Sequence, residues 1–162
     1  MRSSPHPIET VGARAYRVPA DAPEADGTLA WQETTLVVVE IRAGGATGMG
    51  YTYGAAAGAR VIDDSLAPLL EGEDPFAIAR HWERMVARSR NIGFAGIAAT
   101  AISAVDVALW DLKARLLGLP LVDLLGPHRD AVAIYGSGGF TSYGPARLCD
   151  QLSSWVEGIG CR

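Results

Sequence analysis

With 162 residues, 49% of them apolar, the chain is long enough to bury one proper core and too apolar to be disordered. A formal charge of -4 argues against nucleic acid or an anionic membrane surface as the partner. Cys149 and Cys161 have no framework spacing, the N-terminus lacks the apolar core of a signal peptide, and no run approaches the roughly 20 apolar residues of a membrane span, so a cytoplasmic setting is expected.

Ile8 to Val18 reads as a first strand, with Val11, Ala13 and Ala15 alternating against polar neighbours. "PADAPEADGTLAWQE", dense in Pro, Asp, Gly and Ala, predicts a long loop. "TTLVVVEIR" is the clearest strand, "AGGATG" a turn and "MGYTYG" a return strand, which together predict a three-stranded antiparallel meander. Ala59 to Leu70 predicts a helix that Pro68 should end or kink. In "EDPFAIARHWERMVARSR", Asp74 is the expected N-cap and Pro75 the first helical residue, with Phe76, Ala79, Trp82 or Glu83, and Val86 facing inward. Gly96 to Leu117 predicts a long helix, stopped by Gly118 and Pro120. Its apolar residues run nearly all the way round, so it must be covered on several sides. "LVDLLG" reads as a turn, "DAVAIYGSGG" as a buried strand, and "GPARLCDQLSSWVEGIG" as a helix with Pro145 near its start and Gly158 past its end.

Most polar features have an ordinary structural reading. "GGATGMGYTYG" fits neither a dinucleotide fingerprint nor a P-loop. Arg80, Arg84 and Arg88 form a stripe expected to face solvent. His6, His81 and His128 lack metal-site spacing, and His81 is expected at the surface or boundary. Asp63 and Asp64 have no identifiable partner, and Asp111 with Arg115 reads as a structural i, i+4 pair. Asp106, on an apolar helix, is expected to accept hydrogen bonds, because an unpaired buried carboxylate is costly. No residue reads as catalytic or metal-ligating from its spacing.

"LAPLLEGEDPFAIARHWERM" and above all "AISAVDVALWDLKARLLGLPLVDLLG" resemble the N-terminal cap domain of the enolase superfamily, in its mandelate racemase and muconate-lactonizing branch. The resemblance implies an α+β fold: a three-stranded antiparallel meander followed by a helical bundle over residues 1–126. Residues 127–162 would then be the first β/α unit of an incomplete (β/α) barrel. In this family a base removes the proton α to a substrate carboxylate, and magnesium stabilises the enediolate that forms. The Lys-x-Lys base motif and the Asp/Glu metal ligands belong to later barrel strands. By the resemblance this chain holds no catalytic residue and no metal ligand, and neither turnover nor tight Mg2+ binding is expected of it alone.

The cap would supply a lid that excludes water and reads the substrate away from its carboxylate. Trp31, Tyr51, Tyr53 and Ser137 are the candidate substrate-binding residues. Trp31 either closes on the ligand or packs at the start of the second strand. Tyr51 and Tyr53 share a face, either against the core or toward the ligand. Ser137 either hydrogen-bonds the substrate carboxylate at the barrel mouth or sits in a Gly-rich turn. The expected partners are a small carboxylate substrate, such as an acid sugar, and further copies of the chain; nucleic acid and membrane are not expected. Two other readings compete with the isomerase or lyase reading. One is an inactive binding or oligomerisation module. The other is a self-contained ligand-binding domain, which requires the strand at Ala131 to join the N-terminal sheet.

Overall fold

The computed structural model describes residues 5–161, which fall into two compact units. One comprises the residues up to Val18 together with Thr35–Gly126; the other comprises Pro19–Thr34 and the chain from Pro127 onward.

The sheet is a meander, β1 (Ile8–Ala25), β2 (Ala30–Ala43) and β3 (Ala46–Tyr53), with β2 in the middle. Gly44 and Gly45 take φ of 55° and 77°, the paired left-handed conformations of a tight hairpin turn, so β3 starts at Ala46 rather than Met49. In the antiparallel β2–β3 register, Val39 opposes Gly50 and Ile41 opposes Gly48 on the inner face, while Val38 opposes Tyr51 and Leu36 opposes Tyr53 on the outer face. Val37, Val39, Ile41 and Ala43 are fully buried.

The predicted loop after Val18 is instead strand: β1 runs on to Ala25 and β2 begins at Ala30. Pro19 and Pro23 are compatible with this because β1 is an edge strand, where a missing N–H need not interrupt a ladder. Three of the β1 amides are held by groups outside the sheet. Ile8 N donates to the Glu73 carbonyl (2.9 Å), Val11 N to Glu71 Oε1 (3.2 Å) and Ala13 N to Asp63 Oδ1 (3.0 Å). On the opposite edge Met49 N donates to Asp111 Oδ2 (2.8 Å), which also accepts from Arg115 Nε (2.8 Å). Asp63 thus has a backbone partner, and Asp64 pairs with Arg60 at 3.1 Å.

Between Ala57 and Leu70 the helix is not uniform. α1 (Ala57–Val61) passes through a π-helical turn (Ile62–Leu66) into α2 (Ala67–Leu70). Pro68 cannot donate to the carbonyl four residues back, and the wider turn absorbs the missing bond. α3 (Ile78–Arg88) starts later than its sequence signal, because Asp74 closes a turn instead of capping the helix: its Oδ1 accepts from Phe76 N at 3.0 Å. The inward face shifts with it to Ile78, His81 and Met85, leaving Phe76 and Trp82 exposed.

His81 is therefore a core residue, 0% exposed, not a surface one. Its Nε2 donates to the Asp74 carbonyl at 2.8 Å, and its Nδ1 has no partner. Burial holds the ring below the usual histidine range, opposed by the Asp74 carbonyl bond, so the neutral form is favoured. Arg80 and Arg84, expected to face solvent, clamp Glu73 at 2.8 and 2.9 Å. The hydrogen bond from Arg84 holds the Glu73 carboxyl below its ordinary range.

α4 (Ile97–Leu117) is the long apolar helix. It ends in a Schellman motif: Gly118 is left-handed (φ 67°), and Leu119 N donates to the Ala114 carbonyl at 3.0 Å. The helix lies on β3 because both surfaces lack bulk. A Cβ on Gly50 would lie 2.7 Å from Ala108 N and closer still to the Ala104 carbonyl oxygen; one on Gly48 would meet the Ala108 carbonyl and Leu112. Ala101, Ile102, Ala104, Val105, Ala108, Leu109 and Leu112 are buried, whereas Val107 and Leu117 remain exposed. Asp106, beside that uncovered stripe, accepts no hydrogen bond among the described residues. Partial burial pushes its carboxyl above the ordinary range.

In the second unit, residues 131–139 form no strand and are largely exposed; Tyr135 is 89% accessible. A β-strand exists only through its ladder, and no neighbouring strand pairs with this segment among the described residues. The reading that placed it in the N-terminal sheet fails, since that sheet is β1–β2–β3 alone. α5 (Leu121–Leu125) replaces the predicted turn. α6 (Pro145–Ser154) runs into a π turn, Trp155–Ile159, so Gly158 lies inside the helix end and Gly160 (φ 79°) terminates it. Among the described residues no helix is long and apolar enough to cross a membrane.

Candidate functional site

Alternation along β3 settles where its tyrosines point. Gly48, Gly50 and Thr52 occupy the inner face, so Met49, Tyr51 and Tyr53 must occupy the outer one. Tyr51 is 65% and Tyr53 75% exposed, and neither hydroxyl bonds to another described residue. Both are phenols free to meet a ligand, and neither is a core residue. A groove of about 380 Å³ lies on the first unit, lined among others by Thr10, Arg14, Tyr16, Val38, Glu40 and Arg42.

The other two candidates belong to the second unit. Ser137 is exposed, with Gly136 and Gly138 on either side packed beneath the Trp155 ring. A Cβ on Gly136 would lie 2.7 Å from that ring, so the backbone around Ser137 sits where only glycine fits. Gly139 N donates to Gln151 Oε1 at 3.0 Å, which fixes the segment to α6. The Ser137 hydroxyl bonds to nothing among the described residues.

Trp31 is half-buried at the hairpin tip, and its indole Nε1 donates to Glu24 Oε2 at 2.6 Å. Its ring meets Phe140 edge-on at 5.5 Å, and Phe140 meets Tyr143 in the same way at 5.4 Å. Tyr143 carries the Arg147 guanidinium 4.0 Å from its ring centroid. The indole N–H is thus occupied, leaving the ring as the part of Trp31 able to contact a ligand. The tip itself is tightly turned: Asp26 Oδ1 accepts from Thr28 N (2.6 Å), Thr28 Oγ1 (2.8 Å) and Leu29 N (2.8 Å). Those bonds, led by the one from Leu29, hold the Asp26 carboxyl below its ordinary range. Sequence reasoning singled out Trp31 but not Glu24, Phe140 and Tyr143, the residues grouped with it. The available signal was the aromatic pair within "GFTSYG".

No three His, Cys, Asp or Glu side chains come together to hold a metal ion among the described residues. The donor set that magnesium needs, hard oxygen ligands converging on one point, is not found there.

Residues 10–126 match the family model of the mandelate racemase / muconate lactonizing enzyme, N-terminal domain. The chain is 40% identical over 157 residues to a 3,6-anhydro-alpha-L-galactonate cycloisomerase of Streptomyces coelicolor, covering 93% of this chain and 44% of that protein. A mandelate racemase/muconate lactonizing enzyme-like protein from Rubrobacter xylanophilus has a crystal structure that superposes with a TM-score of 0.90 at 50% identity, over 93% of this chain and 42% of that one. L-talarate/galactarate dehydratase from Salmonella typhimurium LT2, liganded with Mg and L-lyxarohydroxamate, superposes with a TM-score of 0.82 at 33% identity, over 94% and 42%. The chain spans less than half the length of these relatives.

Proposed function

Since the chain belongs to the mandelate racemase/muconate lactonizing enzyme family, we propose that it provides the substrate-reading lid of an enzyme that removes the proton α to a carboxylate. The reaction completed by the whole protein is a dehydration or cycloisomerisation of an acid sugar, the chemistry named for its cycloisomerase and dehydratase relatives. Within this chain, the Tyr51 and Tyr53 hydroxyls and the Ser137 hydroxyl offer hydrogen bonds to a polyhydroxylated substrate, and the Trp31 ring excludes water. In this reading the base and the metal ligands lie outside these residues; the Salmonella relative is liganded with Mg.

The observation that carries the reading is the pair of exposed, unengaged phenols on one face of β3 in a chain of this family. The test uses the protein expressed from its full reading frame. Proton NMR in D2O follows α-proton exchange and turnover with talarate, galactarate and 3,6-anhydro-L-galactonate. Exchange with at least one, together with a KM raised about tenfold in Tyr51→Phe or Tyr53→Phe, is expected. No exchange with any of them would overturn the reading.

The exposed stripe on α4, Val107 and Leu117 with unpartnered Asp106, favours a second reading. In it the 162-residue chain acts without turnover as an oligomerisation module, a second copy covering the stripe. Light scattering of that chain decides: a monomer at tens of micromolar excludes this version.

A further inference from the structure

The tip of the β1–β2 hairpin is fastened to a segment more than a hundred residues further along the chain. Thr141 N donates to the Ala25 carbonyl at 2.8 Å, and Thr141 Oγ1 reaches the Ala25 and Asp26 carbonyls at 3.0 and 3.2 Å. Ser142 Oγ donates to the Pro23 carbonyl at 2.7 Å. Pro23 and Ala25 lie at the end of β1, an edge strand whose outer carbonyls have no further strand to pair with, and Asp26 follows directly. Above this backbone seam lies the aromatic row Trp31, Phe140, Tyr143, with Glu24 beneath both ends. One carboxylate oxygen takes the Trp31 indole proton at 2.6 Å, and the other stands 3.5 Å from the Tyr143 hydroxyl. The grouping of Pro19–Thr34 with the chain after Pro127 reflects these contacts.

We infer that the hairpin tip is a strap tied to the loop Gly139–Tyr143, and that Glu24 is the positioning residue that sets the orientation of the Trp31 ring. A lid joined to its domain only through two strands would swing with that domain. This one is held by its tip to the segment that follows residue 127, so opening it requires breaking the Thr141 and Ser142 bonds together. Charge makes Glu24 the sensitive point. A carboxylate accepting an indole N–H forms a charge-assisted bond, stronger and shorter than a neutral one, and it fixes which edge of the indole faces Phe140. The inference goes beyond the proposed reaction and stands without it, because the strap is a property of the chain itself.

The test is carried out on the 162-residue chain with no substrate, so its failure is separate from failure of the enzymatic reading. The Trp31 indole resonance in a proton–nitrogen NMR spectrum is assigned by its loss in Trp31→Phe. In Glu24→Ala that resonance should move to the position of an unbonded indole, and exchange of the Thr141 amide should quicken about tenfold. The Val37–Ala43 amides should be unchanged. Glu24→Gln, whose side-chain oxygen still accepts, should keep the resonance near its original position. An unmoved resonance in Glu24→Ala, an unchanged Thr141 amide, or exchange that also quickens in Val37–Ala43 would each overturn the strap or the role given to Glu24.

Discussion

The contact of α4 with β3 tolerates no added methyl group, and this can be tested with a pair of glycine variants. In Gly50→Ala the new Cβ would stand 2.7 Å from Ala108 N and nearer to the Ala104 carbonyl oxygen, both backbone atoms of a helix that cannot rotate away. Restoring van der Waals separation requires α4 to withdraw by about 1 Å, a gap that forfeits a quarter to a half of the dispersion energy at each contact it opens. Overpacking of this kind costs about 1–3 kcal/mol, and the backbone obstruction places Gly50→Ala at the upper end. For a chain of this size that lowers Tm by roughly 6–12 °C. The control is Gly58→Ala, where the nearest atom is Val37 Cγ2 at 3.8 Å, an ordinary contact, and where the helix gains up to about 1 kcal/mol in propensity. Thermal unfolding of the 162-residue chain, followed by far-UV circular dichroism, should move in opposite directions for the two variants. A Gly50→Ala protein whose Tm lies within about 2 °C of the parent would refute the argument, since the helix would then have room that the geometry denies.

The remaining predictions concern charge. His81 is buried neutral with its pKa lowered, so the unfolded chain binds a proton that the folded chain does not. Stability should therefore fall as pH drops from about 6.5 toward the folded value, and chemical unfolding of His81→Gln measured at pH 7.5 and 5.5 should lose part of that slope. Asp106 has the opposite sign: its folded pKa is raised, so ionisation above about pH 4 opposes folding. Asp106→Asn should stabilise the chain by a few tenths to about 1 kcal/mol at pH 7, with the gain vanishing at pH 3.5; a loss at pH 7 would mean a partner holds the carboxylate in solution. Magnesium at 10 mM or so should leave Tm unchanged, because stabilisation by mass action needs a folded-state site and no donor cluster exists among the described residues.

Long periodic elements with their own punctuation were legible from sequence. α4 could be placed within a residue because it has 21 residues and a glycine that stops it, whereas the β-branched run located the body of β2 but not its start, four residues earlier at Ala30. What failed were judgements that depend on neighbours. Pro19 and Pro23 read as loop until β1 is known to be an edge strand. Residues 131–139 read as strand until the ladder they need proves not to be among the described residues. His81 read as a surface or boundary residue because the turn at Asp74 delays α3 and rotates its inward face. The site followed the same division. Period two put Tyr51 and Tyr53 together, but only the glycines opposite α4 decide which way they point. Glu24 and Tyr143 are 119 residues apart in the chain, so no local pattern could pair them.

Each margin of the sheet has backbone amides held by the protein's own groups. Asp63, Glu71 and the Glu73 carbonyl take the amides of β1, Pro19 and Pro23 offer none, and Asp111 takes Met49 N–H on β3. A second copy extending the sheet from the β1 edge across a two-fold axis would first have to displace Asp63 and Glu71, and one extending it from the β3 edge would have to displace Asp111. Edge-to-edge pairing into a continuous intermolecular sheet thus carries a cost at either margin that an open edge would not impose.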